Sequence, residues 1–214
     1  MKLFELLQVE KGALSIIGSG GKTTMMLTLA RELSQLGKVI VTTTTHIMPP
    51  SELPLIQNPR EFSEPCVCMG KFNEQGKLGI PCPMEELLPL ADWMLIEADG
   101  SKRLPIKAHL SYEPVVPDCS KKTVLVVGAS GFGKPIGQIA HRAEQYCWLS
   151  NSKPTDSVTP DNLAAVFNKE GLADCVFVNQ VETAAQREQV YRLKELIFTP
   201  VFMGELQKEV WTCV

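Results

Sequence analysis

The segment Gly18-Ser-Gly-Gly-Lys-Thr-Thr24 constrains this chain more than any other, because of what flanks it. Before it, Ala13-Leu-Ser-Ile-Ile17 reads as a short buried strand. After it, Met25, Met26, Leu29, Ala30, Leu33 and Leu36 recur at helical spacing, and Gly37 supplies a stop. Lys38-Val-Ile-Val-Thr-Thr-Thr44 is β-branched and predicts a second strand. Strand, glycine loop, helix and strand make a βαβ unit with parallel strands and a right-handed crossover. A loop of this composition turns successive backbone N–H groups inward at the positive end of a helix, which is how proteins cradle phosphate. Gly18, Ser19, Gly20 and Gly21 form the expected cradle. Lys22 is placed to reach the terminal phosphates of a nucleotide triphosphate, and the Thr23 hydroxyl to hold Mg²⁺. Thr24 either caps the helix or meets an α-phosphate. The full pattern has glycine where this chain has Ile16, so the expected cradle is a shortened one.

Chemistry at such a loop needs an acid at the end of a neighbouring apolar strand, to position the magnesium or its water. Trp93-Met-Leu-Ile-Glu97-Ala-Asp99-Gly100 supplies two. Strand alternation puts Glu97 and Asp99 on one face and Ala98 on the other. Lys22, Asp99 and Glu97 are the expected catalytic set. Thr23 and Asp99 are the expected metal ligands, since Gly100 lets the backbone bend close to phosphate. Thr42-Thr-Thr-Thr-His46 extends the second strand by propensity alone. It also lies at a carboxyl strand end, where open α/β sheets bind ligands, so Thr44, Thr45 and His46 are candidates for a γ-phosphate or a second substrate. Lys102, Arg103 and Lys107 follow the acids and read equally as a solvated basic loop or as contacts to an anion.

The remaining chain alternates strands and helices. Thr123-Val-Leu-Val-Val-Gly128, Cys175-Val-Phe-Val-Asn179 and Thr199-Pro-Val-Phe-Met203 read as strands. Helices are expected over 84–90, from about 136 through Arg142 and Tyr146, from Thr159-Pro160 onward, and over 183–196. Gly128-Ala-Ser-Gly-Phe-Gly-Lys134 is a second glycine-rich stretch, but Pro135 stands where a magnesium-binding hydroxyl belongs, so it reads as a turn. His141-Arg142, on the expected helix, is a candidate substrate contact. This pattern predicts a three-layer, doubly wound, mainly parallel α/β sheet in a single domain over 1–214. Within it the proline-rich stretch 47–83 is an insertion or edge hairpin, with Cys66–Gly70 and Lys77–Pro81 flanking an Asn73-Glu-Gln-Gly76 turn. Net charge is −3, which gives no pull towards nucleic acid, and no apolar run approaches the length of a membrane span. The seven cysteines are an odd number in mostly apolar surroundings, which fits free thiols in a reducing cytoplasm. Cys66, Cys68 and Cys82 are the one cluster that suggests metal or selenium handling, and they lack a nearby histidine.

With these pieces in place the chain resembles the YqeC family, described as accessory proteins for selenium-dependent molybdenum hydroxylases. The resemblance rests on Gly18–Thr24, Val41-Thr-Thr-Thr-Thr-His46-Ile-Met-Pro49, Glu97-Ala-Asp-Gly100, Pro105-Ile-Lys107, Glu113-Pro-Val-Val-Pro117, His141-Arg142-Ala-Glu144 and Thr159-Pro160. It implies a P-loop NTPase-like fold and a supporting role, with ATP or GTP and Mg²⁺, in preparing a selenium- or molybdenum-containing cofactor or its hydroxylase. Asn179-Gln-Val-Glu182 stands where family members tend to read Asn-Lys-Val-Asp, and is similar to the guanine-selecting motif of GTPases. Asn179 is thus a candidate nucleotide contact, but Gln180 lacks the lysine's charge, and ATP and GTP both stay open. The glycine loop is also similar to that of Mur-type ligases, so an ATP-dependent kinase or ligase of a small molecule is an alternative. A nucleotide-gated cofactor carrier without catalysis is another.

Overall fold

The computed structural model describes residues 1–214, which form two compact units. The first comprises Met1–Ile17, Lys22–Gly100 and Val115–Thr123; the second comprises Gly18–Gly21, Ser101–Pro114 and Val124–Val214. Both are mixed α/β, and no helix is long and apolar enough to cross a membrane.

In the first unit the chain runs α1 (Leu3–Leu6), β1 (Gly12–Gly18, its last residue belonging to the second unit), α2 (Lys22–Leu33), β2 (Val39–Thr43), β3 (Leu55–Ile56), β4 (Cys66–Met69), β5 (Lys71–Phe72), β6 (Leu78–Gly79), α3 (Met84–Leu87) and β7 (Trp93–Glu97). β7 lies between β1 and β2 and is parallel to both; β4 and then β3 continue outward from β2, again parallel. The βαβ crossover expected at the glycine loop is therefore present, with one strand inserted between its two strands. Ile16 and Thr43 are both level with Glu97, so the carboxyl ends of three strands open on one edge. Ile16 itself is fully buried inside β1, which is why the loop begins two residues later than the full motif.

The helical stripe is realised in α2, which buries Met25, Met26, Leu29, Ala30 and Leu33 against β2 and β7. Leu36, counted in the same stripe, lies past the end of the helix and is exposed. Buried Glu32 of α2 accepts hydrogen bonds from the Leu3 and Phe4 N–H groups, tying α1 down at donors its own turns cannot satisfy. The proline-rich stretch differs from expectation in one respect. Cys66–Met69 is not an arm of the hairpin but a buried sheet strand, and the hairpin is β5 with β6 around Asn73. Four consecutive buried residues suit a strand covered on both faces better than an edge arm.

In the second unit come β8 (Ile106–Lys107), β9 (Ser120–Gly128, whose first four residues belong to the first unit), α4 (Ile136–Ile139), β10 (Ala140–His141), α5 (Ala143–Ser150), α6 (Pro160–Glu170), β11 (Cys175–Asn179), α7 (Ala184–Leu196), β12 (Val201–Glu205) and β13 (Val210–Cys213). β11 pairs in parallel with β9 and β12, and β13 closes the order antiparallel to β12. Thr159 and Thr183 cap α6 and α7 through reciprocal capping boxes. The single helix expected through Arg142 is instead α4, the short strand β10 and α5. Arg142 takes a left-handed φ of 65° at the start of α5, which breaks the helical path. β13 had no clear signal in the sequence, because most of its residues are exposed and lack alternation.

Removing the Glu32 carboxylate strands two α1 donors. Glu32→Ala is expected to lower the unfolding free energy in urea by about 2 kcal/mol, and Glu32→Gln by less, since its amide oxygen still accepts.

Candidate functional site

The open edge of the first unit gathers most of the residues that the sequence singled out there. Lys22 opens α2 with its side chain only 3% exposed; its Nζ lies 3.0 Å from Asp99 Oδ1 and 3.7 Å from Glu97 Oε1. Both acids reach the same ammonium, as strand alternation predicted. Glu97 Oε2 in turn faces the hydroxyl of exposed Thr23 at 3.5 Å. Burial pushes the Glu97 carboxyl above its ordinary range. Lys22 pulls it back, Asp99 adds to the rise, and burial prevails. A hydroxyl beside a carboxylate offers two hard-oxygen donors of the kind that magnesium takes.

The threonine tract divides by position. Thr42 is committed to the Met69 carbonyl, 2.8 Å away. Thr43 donates to the Glu97 carbonyl at 2.8 Å, and its hydroxyl accepts from the Thr45 N–H. Thr44 donates to the Val115 carbonyl at 2.6 Å. The tract therefore laces β2 to the carbonyl end of β7 and to Val115. Thr45 is half-buried beside Thr43, and His46 is exposed against Gly79. Thr24 is half-buried in the first turn of α2. Cys66 and Cys68 are buried in β4, where desolvation pushes their thiols up to about 11 and about 12, so both stay protonated. Neither they nor Cys82 joins a group of three or more His, Cys, Asp or Glu residues arranged to hold a metal ion.

In the second unit the glycines of the loop are held from behind. The Ser19 N–H donates to the Val126 carbonyl at 2.8 Å, and its hydroxyl to the Leu104 carbonyl at 2.6 Å. Gly20 has a φ of 83°, and a Cβ there would strike the Gly128 backbone nitrogen at 2.3 Å. Only glycine fits a left-handed backbone packed this closely. Residues 129–131 form a 3₁₀ turn, so the second glycine-rich stretch is the turn its Pro135 implied, and it backs the first loop. Asn179, buried at the end of β11, donates to the Gly20 carbonyl at 2.8 Å and accepts from the Leu206 N–H at 3.0 Å. Its amide is thus engaged in positioning the loop. Gln180 accepts from Ser130, and Glu182 is exposed.

Two basic residues of this unit, Lys107 and Arg142, meet on an acid to which the sequence reading gave no role. Glu113 takes Lys107 Nζ on Oε2 at 2.7 Å and Arg142 Nε on Oε1 at 2.9 Å. Burial raises the Glu113 carboxyl, but the hydrogen bonds and charges of these two cations outweigh it and leave it below the usual range. His141, level with Lys107 across β10 and β8, is depressed by burial first, then by Lys107 and Arg142, with Glu113 opposing them. Lys102 and Arg103 are exposed, each with a left-handed φ. The one signal that could have found Glu113 was its place beside two prolines in Glu113-Pro-Val-Val-Pro117; nothing local announces a partner 29 residues away.

A profile of the YqeC protein family matches residues 14–144, from β1 through the glycine loop, the acids and Glu113 to the start of α5. The chain belongs to the YqeC family. It is 30% identical over 228 aligned positions to the uncharacterized protein YqeC of Escherichia coli (strain K12), an alignment covering 91% of this chain and 88% of that one. No solved structure matches it. In this YqeC family member, Asn179 and the strands that follow it lie beyond the span matched by the profile.

The depressed imidazole gives a pH signature. The unfolded chain takes up a proton at His141 near pH 6.5, while the folded protein resists until lower pH. The unfolded state thus binds more protons across that window, and stability falls as pH drops below 6.5. Urea denaturation at pH 7.5 and 5.5 is expected to show the loss, and His141→Gln to reduce the difference.

Proposed function

We propose that Gly18–Thr24 binds the phosphates of a nucleotide triphosphate with Mg²⁺, and that the protein is an NTP-binding, NTP-hydrolysing accessory factor of P-loop NTPase-like, three-layer fold. The observation that carries this reading is Lys22, buried at the first turn of α2 and held within 3.0 Å of Asp99, with the Thr23 hydroxyl facing Glu97. A lysine kept out of water at a glycine-loop helix start is the group that meets β- and γ-phosphates. On this reading Asp99, expected from the sequence to be a metal ligand, instead positions Lys22 until phosphate takes over its charge, while Thr23 and Glu97 hold the magnesium. A bound magnesium supplies neutralisation of the charge that develops on the phosphoryl oxygens. The backbone N–H groups of Gly18–Gly21 orient the phosphates, and Asn179 and Ser19 keep the loop in place while they do so. The resemblance to accessory proteins of selenium-dependent molybdenum hydroxylases supports maturation of such an enzyme, or of its cofactor, as the process served.

Calorimetry with Mg-ATP and Mg-GTP, followed by a phosphate-release assay, tests the reading. Wild-type protein is expected to bind one of the two and release phosphate only with Mg²⁺. Lys22→Ala is expected to bind at least about tenfold more weakly, the usual cost of losing a hydrogen bond to a charged group. Thr23→Ala, exposed and harmless to packing, is expected to fold normally and lose the magnesium dependence. Equal background release in all three proteins would exclude hydrolysis.

A further inference from the structure

Lys102 and Arg103 lie exposed at the tip of a turn in the second unit, and neither side chain enters an ion pair or a hydrogen bond. Lys107 and Arg142 of the same unit are, by contrast, both held on Glu113. The Leu104 N–H donates to the Ser101 carbonyl at 3.0 Å and closes the turn. Lys102 has a φ of 49° and Arg103 one of 60°, the only two consecutive non-glycine residues of the chain in the left-handed region. A Cβ is disfavoured there, and glycine or asparagine would relieve the cost. This turn instead carries two long cations, and strain of that kind persists only where the surroundings impose it.

The surroundings here are the glycine loop. Directly after Arg103, the Leu104 carbonyl accepts from Ser19 Oγ at 2.6 Å, and the Pro105 carbonyl accepts from the Gly128 N–H at 2.9 Å. A Cβ at Gly128 would meet Pro105 Cβ at 2.9 Å, so Pro105 packs on the turn that backs the loop. The strap is therefore anchored at Leu104 and Pro105 and charged at Lys102 and Arg103. Arg103 is one Cα step, about 3.8 Å, from the residue bonded to Ser19. Gly20 and Gly21, which follow Ser19, are half-buried, so an anion on their N–H groups would sit at the surface, open to a side chain as long as arginine's.

We propose that Arg103 is a catalytic residue for phosphoryl transfer, its guanidinium closing on the γ-phosphoryl oxygens of a nucleotide triphosphate held by Gly18–Gly21. This rests on the nucleotide reading of the loop. Water bonds to the γ-phosphorus as the bond to the β–γ bridging oxygen breaks. The nucleoside diphosphate leaves with that electron pair, and the protons of the water pass to inorganic phosphate and solvent. Charge shifts among the γ-oxygens and the bridging oxygen as this happens, and a planar fork of N–H donors meets it there. The guanidinium stays protonated throughout. Arg103 fits this role better than Lys102, because it adjoins the anchored Leu104 and presents paired donors.

The test measures binding and turnover separately, with Mg-ATP and with Mg-GTP, in wild-type protein and in variants at Arg103. Arg103→Ala is expected to bind the preferred nucleotide within about fivefold of wild type, because an exposed charge adds little to ground-state binding, yet to lose about 100-fold in kcat. Arg103→Lys is expected to keep part of the turnover, and millimolar guanidinium chloride to restore part of it to Arg103→Ala. Arg103→Gly, which relieves the left-handed strain, is expected to unfold in urea no earlier than wild type while losing turnover as Arg103→Ala does. An unchanged kcat in Arg103→Ala would overturn the proposal and leave nucleotide binding at the loop standing, as would wild-type protein that binds without turnover. Wild-type protein that binds neither nucleotide would overturn the loop reading itself, and the proposal with it. Loss of stability together with turnover in both Arg103→Ala and Arg103→Gly, with no rescue by guanidinium, would make the residue structural and also overturn the proposal.

Discussion

Lys22 sits out of water between two carboxylates, and the open edge of the first unit is arranged around that contact. Removing an ammonium and two carboxylates from water costs several kcal/mol per ion, and attraction offsets it only where the geometry is good. The strand order supplies that geometry. β7 lies between β1 and β2, so its carboxyl end delivers Glu97 and Asp99 to the start of the helix that β1 leads into. Thr43 secures the Glu97 carbonyl from the other side, 2.8 Å away.

The glycines answer a different constraint. Their backbone has to pass within contact distance of β9 and β11 while keeping its N–H groups available. Gly20 meets that demand against Gly128, and Asn179 then fixes the Gly20 carbonyl while also bonding the Leu206 N–H. One amide thus ties three chain segments in the second unit together. An asparagine at a strand end that also resembles a base-selecting motif invites a specificity role. Here its amide nitrogen and oxygen are both engaged in keeping the loop in shape.

What could be read in the sequence follows from the range of each interaction. The strand, loop, helix and strand around Gly18–Thr24 are local patterns, and they survive almost unchanged. The pairing of Glu97 with Asp99 was legible because alternation along one strand is also local. Cys66–Met69 was misplaced because an apolar four-residue run is compatible with a hairpin arm or a covered strand; its parallel partner β2 lies more than twenty residues earlier. The break at Arg142 was invisible because its left-handed φ is set by what surrounds it, and arginine has no propensity that signals it. Glu113 was missed for the same reason: a lone acid acquires meaning only when the fold brings Lys107 and Arg142 to its two oxygens. Local periodicity carries the scaffold and the glycine-loop end of the candidate site, whereas partners set by tertiary contact carry the rest.

Charge balance governs which ionisable groups a fold can bury. A pair retained for stability alone tends to match each buried charge with one opposite charge, because any surplus bears the desolvation penalty uncompensated. Glu97 and Asp99 both face the Lys22 ammonium, and the Glu97 carboxyl is raised by burial first, with Asp99 adding to the rise and Lys22 opposing it. Glu113 receives Lys107 on one oxygen and Arg142 on the other, and the His141 imidazole is depressed by burial first and then by those two cations. In both groups burial is the largest single influence on the titrating side chain, and the neighbouring charges add to it or offset it.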